Sequence, residues 1–180
     1  YVFNQPLDSW DISQVGDMAD MFHKAYAFNQ PLHSWNVGQV NDMDSMFDYA
    51  KAFNQALDSW NVGKASDMDS MFRRAYDFNQ PLDSWNVGQV LVNMNLMFLD
   101  AEAFNQYLGT WANKTMIYVS TFRIFQESGC PNTSYPCDTV SCLSTPKDPT
   151  GGPWCQNAKP VSEVPSEVSS ESPSASPSSS

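Results

Sequence analysis

The chain has 180 residues, with 9 Lys and Arg against 20 Asp and Glu, so its formal net charge is −11. This charge disfavours nucleic acid as a partner, because phosphate binding needs a basic surface. Hydrophobic residues make up 42% of the chain and aromatic residues 13%, too many for a chain that is disordered throughout. No run of about 18 apolar residues occurs, so no transmembrane segment is expected in this stretch.

A repeat of about 25 residues dominates the first part of the chain. Phe-Asn-Gln recurs at steps of 25, 25, 25 and 26 residues, and a Trp follows each Phe by seven residues. The five copies begin at Phe3, Phe28, Phe53, Phe78 and Phe104. A full unit reads F-N-Q-P-L-x-S-W-N-V-G-Q-V-x-D-M-x-x-M-F-x-x-A-x-x. Five copies in register indicate a repeat architecture.

The first half of each unit predicts a strand. In the second copy, Leu32, Trp35 and Val37 place bulky β-formers in a short stretch between Pro31 and Gly38. Such a run, bounded by turn residues, is typical of one strand of three or four residues.

The second half of each unit predicts a helix. Met43, Met46, Phe47 and Ala50 fall at i, i+3, i+4 and i+7, which is the spacing of an apolar stripe on a short helix. Asp42 precedes the stripe and suits an N-cap. The cap position recurs at Asp17, Asp67 and Asn93.

A unit of this size cannot bury its own apolar face, but a stack of units can. The sequence therefore predicts a right-handed α/β solenoid of about five 25-residue coils, each with one short strand and one short helix, joined in a parallel sheet. The solenoid is expected over residues 1–127, a Cys/Pro-rich cap over 128–158, and a disordered Ser/Pro/Glu-rich stalk or linker over 159–180. Because Tyr1 falls inside a unit, further repeats are expected upstream.

Several recurring side chains have both a structural and a functional interpretation. The Trp column could be a sugar-stacking stripe, but its Leu and Val neighbours favour a core ladder. The Asn of each Phe-Asn-Gln indicates a polar ladder in which each amide satisfies the next copy. The Met pairs could line a peptide groove, although helical spacing favours packing.

The polar residues do not predict a catalytic or metal site. His23 and His33 occupy different positions in their copies and have no partner ligands, so surface variation is the better interpretation. Recurring Asp residues could form acidic columns at positions 8, 58 and 83 and at 17, 42 and 67. Calcium-ligand spacing is missing, so weak ion screening is expected rather than a calcium cage, and no cofactor or metal is predicted.

The pattern weakens after Trp111, as a terminal capping repeat would. The spacing places Val119 at the position of Met18 and Phe122 at the position of Met21.

All 4 cysteines follow the repeats, at Cys130, Cys137, Cys142 and Cys155. Their gaps do not fit zinc knuckles, so two disulfides are predicted, with three possible connectivities. Asn113 and Asn132 stand in N-glycosylation triplets. Both features favour an oxidising, extracellular location.

The unit resembles the BspA-type leucine-rich-repeat surface proteins, and specifically a mycoplasma lipoprotein-associated repeat family of unknown function. The resemblance covers residues 1 to about 125, and its motif is specific because Phe-Asn-Gln, Trp and the Met pair recur together. Repeat proteins of microbial eukaryotes end in segments similar to Ser-Gly-Cys-Pro-Asn and Gly-Pro-Trp-Cys, which follow here from Ser128 and Gly152. The resemblance implies a leucine-rich-repeat-like fold outside the cell, adhesion or ligand binding for some members, and no catalysis.

The leading hypothesis is a non-enzymatic, extracellular or cell-surface module that binds a protein or another cell-surface ligand. The residues that differ between copies around each Ala are expected to face the partner, and Tyr and Arg suit an interface. The predicted binding strip consists of Tyr26, Tyr49, Arg73, Arg74 and Tyr76. One alternative is solvent-facing variation with no partner. Two other functions stay open: a wall or matrix spacer with weak ion-bridged association, and the targeting arm of a larger enzyme.

Overall fold

The structure is a computed structural model that describes residues 2–90, 93–114 and 119–130. In these ranges the one helix is α1, Trp111–Lys114. Parallel pairing is limited to four isolated bridges, Asp17–Asp42, Asp42–Asp67, Asp67–Asn93 and Asn93–Ser120. These residues form no strand and no sheet. The prediction of a leucine-rich-repeat-like α/β solenoid, with a strand and a helix in each coil, was therefore wrong.

The predicted helix is interrupted by residues with left-handed backbone conformation. In the second copy, φ is 54° at Ser45 and 59° at Tyr49, a region that a right-handed helix cannot include. The same two places in the repeat are left-handed in all five copies: Asp20, Lys24, Ser45, Tyr49, Ser70, Arg74, Leu96, Asp100, Arg123 and Glu127. The apolar spacing that predicted a helix thus belongs to a series of tight turns.

Hydrogen bonds explain how these turns stack. The N–H of Ser45 donates to the carbonyl of Asp69 in the next copy at 2.8 Å, whereas the N–H of Asp48 donates to the carbonyl of Ser45 at 3.0 Å. This alternation runs through residues 18–25, 43–50 and 68–75. Every second N–H therefore joins neighbouring copies, and the others close a turn within one copy. Neither a helix nor an extended strand has this pattern.

The predicted strand is replaced by two turns. The N–H of Trp35 donates to the carbonyl of Leu32 at 3.0 Å, and that of Val40 donates to the carbonyl of Val37 at 2.9 Å. Asp42 does not cap a helix; its Oδ1 accepts the N–H of Asp44 at 2.9 Å, as in an Asx turn.

The interior consists of columns of identical side chains. The Phe53 ring centroid lies 6.0 Å from those of Phe28 and Phe78, and 4.1 Å from that of Phe47. Trp35, Trp60, Trp85 and Trp111 are buried, and each indole N–H donates to a Leu carbonyl of the preceding copy at 2.8–3.1 Å. The core interpretation of the Trp column is confirmed for these four, while Trp10 is exposed.

Two further packing predictions are confirmed. Met43 and Met46 are fully buried, so this Met pair packs in the core rather than lining a groove. Asn54 Oδ1 accepts the N–H of Asn79 at 3.0 Å and the side-chain amide of Gln80 at 2.9 Å. The Asn residues thus form the predicted polar ladder, although none is buried: Asn29, Asn54 and Asn79 are partly buried, and Asn4 and Asn105 are exposed.

The last repeat continues the stack in a different register from the predicted one. The N–H of Phe98 donates to the carbonyl of Ile124, as Phe72 does to Met97 one copy earlier. Ile124 therefore takes the position of Met21, and the assignment of Phe122 to that position was wrong by two residues. Phe125 stacks on Phe98 with ring centroids 5.4 Å apart.

The described residues stop at Cys130, which is buried, and they include no free cysteine. Cys137, Cys142, Cys155 and Asn132 lie outside them, as do most of the predicted cap and the whole predicted stalk. Asn113 lies in α1. The disulfides and the glycosylation sites stay predictions.

Candidate binding surface

The residues that vary most between copies lie in the turn segment after the second Phe of each unit. Because copies stack in register, these residues form three columns that run along the stack. Column one contains His23, Asp48 and Arg73; column two contains Lys24, Tyr49, Arg74 and Asp100; column three contains Tyr26, Lys51, Tyr76 and Glu102. We call these eleven residues the variable strip. It includes all five residues of the predicted binding strip.

Column one is built around a buried carboxylate. Asp48 is fully buried, and the Arg73 guanidinium donates to it from Nε at 2.9 Å and from Nη2 at 2.6 Å. On the other side, His23 Nδ1 lies 3.1 Å from Asp48 Oδ2, without the direction of a hydrogen bond. The hydrogen bond to Asp48 raises the pKa of Arg73, although burial opposes the shift. Asp48 therefore joins three successive copies.

Column two pairs an aromatic ring with a cation and a carboxylate. The Arg74 guanidinium carbon lies 4.8 Å from the Tyr49 ring centroid, and Nη1 donates to the Tyr49 hydroxyl. Arg74 Nε also donates to Asp100 Oδ2 at 2.8 Å. The Tyr49 ring meets the His23 ring edge to face at 6.5 Å, which connects columns one and two.

Column three holds a lysine between two tyrosines. Lys51 Nζ lies 5.3 Å from the ring centroid of Tyr26 and 5.3 Å from that of Tyr76. Both distances are within the range of cation–π attraction. Tyr26 and Lys51 are exposed, whereas Tyr76 is partly buried. We call Tyr26, Lys51 and Tyr76 the lysine bracket.

Further carboxylates lie beside column one: Asp20 Oδ1 is 3.5 Å from His23 Nδ1, and the charge of Asp69 contributes to the raised pKa of Arg73. Burial raises the pKa of Asp44, and the charges of Asp69, Asp67 and Asp20 add to the shift. Burial also raises the pKa of Asp67, with Asp42 and Asp69 contributing. Among the described residues no three His, Cys, Asp or Glu side chains are arranged to hold a metal ion. His33 is exposed and takes part in no site described here.

Sequence reasoning found the Tyr and Arg residues of the strip but missed how they are paired. Asp48 and Lys51 are among the residues that vary around each Ala, but the predicted binding strip left them out. Asp48 matters most, since it is the buried charge around which column one forms. Reading the variable positions at the repeat step would have paired them, because His23, Asp48 and Arg73 then follow one another with compatible charges and Lys51 falls between two tyrosines.

Comparison with known protein families finds one that matches the chain. Two overlapping stretches, residues 1–111 and 39–130, match the family described as "Mycoplasma protein of unknown function, DUF285". The chain belongs to this family. The matches together cover the repeats and end at Cys130. No curated protein and no solved structure matches the chain.

The family description assigns no activity, so it adds none to the strip. Within the described residues, no helix has the length and apolar character needed to cross a lipid bilayer.

Proposed function

We propose that this DUF285 chain is a non-enzymatic binding or adhesion module that holds a protein or another cell-surface ligand on its variable strip. The observation that carries the proposal is that different positions of the repeat form the core and the variable strip. The recurring apolar side chains form the core, whereas the positions that change most from copy to copy gather in the variable strip. Repeat proteins commonly use such an aligned surface for recognition.

The composition of the strip supports the same proposal. Tyr and Arg are enriched among the residues that dominate binding energy at protein interfaces. Here Tyr49, Arg73 and Arg74 are already fixed by contacts with neighbouring copies. Side chains held before binding lose less conformational entropy when a partner docks. The strip is therefore a preorganised surface.

The proposed location is the outside of the cell. The four cysteines after the repeats, the two N-glycosylation triplets and the resemblance of the repeat unit to BspA-type surface proteins support it. Immunolabelling of intact and permeabilised cells tests the location. Labelling of permeabilised cells alone would contradict it.

The binding proposal is tested by removing the three strip tyrosines together. A Tyr26→Ala/Tyr49→Ala/Tyr76→Ala variant is expected to lose most attachment of the purified chain to cells or to a captured partner. The matched control is Asp8→Ala/His33→Ala/Asp58→Ala, three exposed residues on another column. Thermal melting of both variants verifies folding. Unchanged attachment of the folded tyrosine variant would remove the strip from consideration.

A second candidate function is a wall or matrix spacer that associates through screened acidic faces. It is favoured by one observation: Asp44 and Asp67 lie among other carboxylates, and burial, together with those neighbouring charges, raises the pKa of both. Light scattering during a calcium titration tests it, with magnesium and sodium at equal ionic strength as controls. The spacer function predicts reversible association with divalent ions, and scattering that stays flat contradicts it.

A further inference from the structure

The positive charges of this acidic chain are mostly used internally. The described part of the chain has seven Lys and Arg side chains. Arg73 and Arg74 pair with carboxylates. Lys64 donates to the side-chain oxygen of Gln39 at 2.6 Å, and Lys114 donates to two carbonyls and a hydroxyl. Four of the seven cations are therefore satisfied by protein oxygens.

Three cations have no oxygen acceptor within the described residues. Arg123 lies over the exposed ring of Phe122 at 4.9 Å, at the last repeat. Lys24 and Lys51 are exposed, and both belong to the variable strip. Of these two, Lys51 is held in place by two rings, one from each neighbouring copy. Aromatic rings attract an ammonium group without neutralising it, so Lys51 keeps its charge and its hydrogen-bond donors for a ligand.

The surroundings of Lys51 limit the charge of that ligand. Asp77 and Glu102 lie next to the bracket along the chain and along column three, and both are exposed. The whole chain carries a net charge of −11. A polyanion that extended past the ammonium would be repelled by these charges, whereas a ligand with one negative group need only reach the ammonium. A singly charged ligand is therefore favoured over an acidic peptide or a nucleic acid.

The two tyrosines of the lysine bracket indicate which other groups the ligand carries beside its negative group. Each phenol hydroxyl both donates and accepts hydrogen bonds, and Tyr adds a rigid surface at small entropic cost. Hydroxyl groups beside a carboxylate match this combination of donors, acceptors and one cation. We propose that the lysine bracket, Tyr26, Lys51 and Tyr76, binds the carboxylate and neighbouring hydroxyls of an acidic saccharide. This inference rests on the proposed binding function and names the ligand class of the same surface.

The test compares two sugars that differ in one group. Methyl β-glucuronide carries a carboxylate, and methyl β-glucoside has an uncharged hydroxymethyl group in its place. Chemical-shift titration of the whole chain is expected to show saturable binding of the glucuronide, weakened by added salt, and binding of the glucoside at least about tenfold weaker. Equal binding of the two sugars, or no saturable binding of the glucuronide, would overturn the proposal.

Variants then locate the site. Lys51→Met keeps the unbranched stem of the side chain and removes the ammonium group, and it is expected to weaken glucuronide binding about tenfold or more. Lys64→Met is the matched control and should bind as the unmodified chain does. Tyr26→Phe keeps the ring and removes one hydroxyl, so a smaller loss is expected. Full binding by a folded Lys51→Met variant would contradict the assignment.

A third arm separates this inference from the proposed function. If a poly-glutamate peptide binds more tightly than the glucuronide and depends on Lys51, the acidic-saccharide assignment is overturned in favour of an acidic protein segment. If cell attachment depends on the strip tyrosines while neither sugar binds, the saccharide inference fails and the binding function stands. If attachment is independent of the tyrosines, the binding function fails as well.

Discussion

The interior of the stack and the variable strip differ in how side chains of successive copies contact each other. Every layer must fit the layers on either side of it. In the interior, identical side chains lie on one another, as Phe53 does between Phe28 and Phe78. In the strip, unlike side chains lie on one another, as Asp48 does between His23 and Arg73.

The difference follows from the forces involved. Stacked rings and amides attract their own kind, because each ring buries apolar area against the next and each amide both donates and accepts. Like charges repel, so a charged column is stable only if its sign alternates or if rings separate the cations. The acidic columns around Asp44 and Asp67 are an exception, because like charges there lie near one another without alternating in sign.

The largest effect is expected in the interior. Phe53→Ala should destabilise the chain by about 3–5 kcal/mol, because the ring is fully buried and a cavity would remain. Phe3 takes the same position in the first copy but is 40% exposed, so Phe3→Ala should cost only about 1 kcal/mol. Urea unfolding followed by tryptophan fluorescence measures both. Equal losses would show that burial along the column does not set the contribution of each ring.

The next effect is expected at the centre of the strip. Asp48→Ala should cost about 2–3 kcal/mol, since it leaves Arg73 without its carboxylate, although partial exposure of Arg73 lets water compensate in part. The comparison is Asp100→Ala, whose pair with Arg74 is more open to solvent and should contribute less than about 1 kcal/mol.

A double-mutant cycle separates pairing from simple loss of a side chain. Asp48→Ala, Arg73→Met and the double variant should show a coupling energy of about 1–3 kcal/mol. Additive losses would contradict the idea that unlike residues in the strip stabilise neighbouring copies through each other.

The sequence predicted the side-chain contacts between copies better than it predicted the conformation of the backbone. Trp85 and Asn54 recur at a fixed step, so a stack that places each on its own kind follows from the period alone. The turn conformation did not follow, because Ser45 and Tyr49 adopt positive φ without the Gly or Asn that usually indicates it. Their N–H groups bond to the next copy, so the conformation is set by stacking and not by local preference.

The strip shows the same limit. Tyr and Arg residues were recognised as interface types one copy at a time, which finds Tyr49 and Arg74 but not that they contact each other. The pairs of Asp48 and Lys51 exist only between copies, at separations of 25 residues. A pattern read along one unit cannot contain them, whereas the same residues aligned by column can.

The smallest effect is expected in the acidic columns, and it should have the opposite sign. Asp44→Asn and Asp67→Asn should each raise stability at neutral pH by no more than about 0.5 kcal/mol, because solvent screens these partly exposed carboxylates. An Asn Oδ1 can still accept the bonds that Ser45 gives to Asp44 and that the Asp69 N–H gives to Asp67. At position 67 the new amide nitrogen would face the Asn93 amide and lose its weak bond to Oδ2, so the gain should be smaller there. The fourth copy already contains this change as Asn93, whose amide donates to Asp67 at 3.4 Å.

The pH dependence tests the cause of that effect. Because burial and neighbouring charges raise the folded-state pKa of Asp44 and Asp67, the folded chain holds these protons more tightly than the unfolded chain. Above the folded-state pKa, both carboxylates are ionised and their full cost to stability is present. This cost falls as the pH drops from the folded-state pKa towards the ordinary pKa of Asp. The advantage of the Asn variants should therefore shrink as pH falls from 7 to about 4, measured by urea unfolding.

Asn93→Asp extends the acidic column, so it should lower stability at pH 7 and lose that effect in acid. An Asn93→Asp variant as stable as the unmodified chain at pH 7 would show that like charges on successive layers cost this fold nothing.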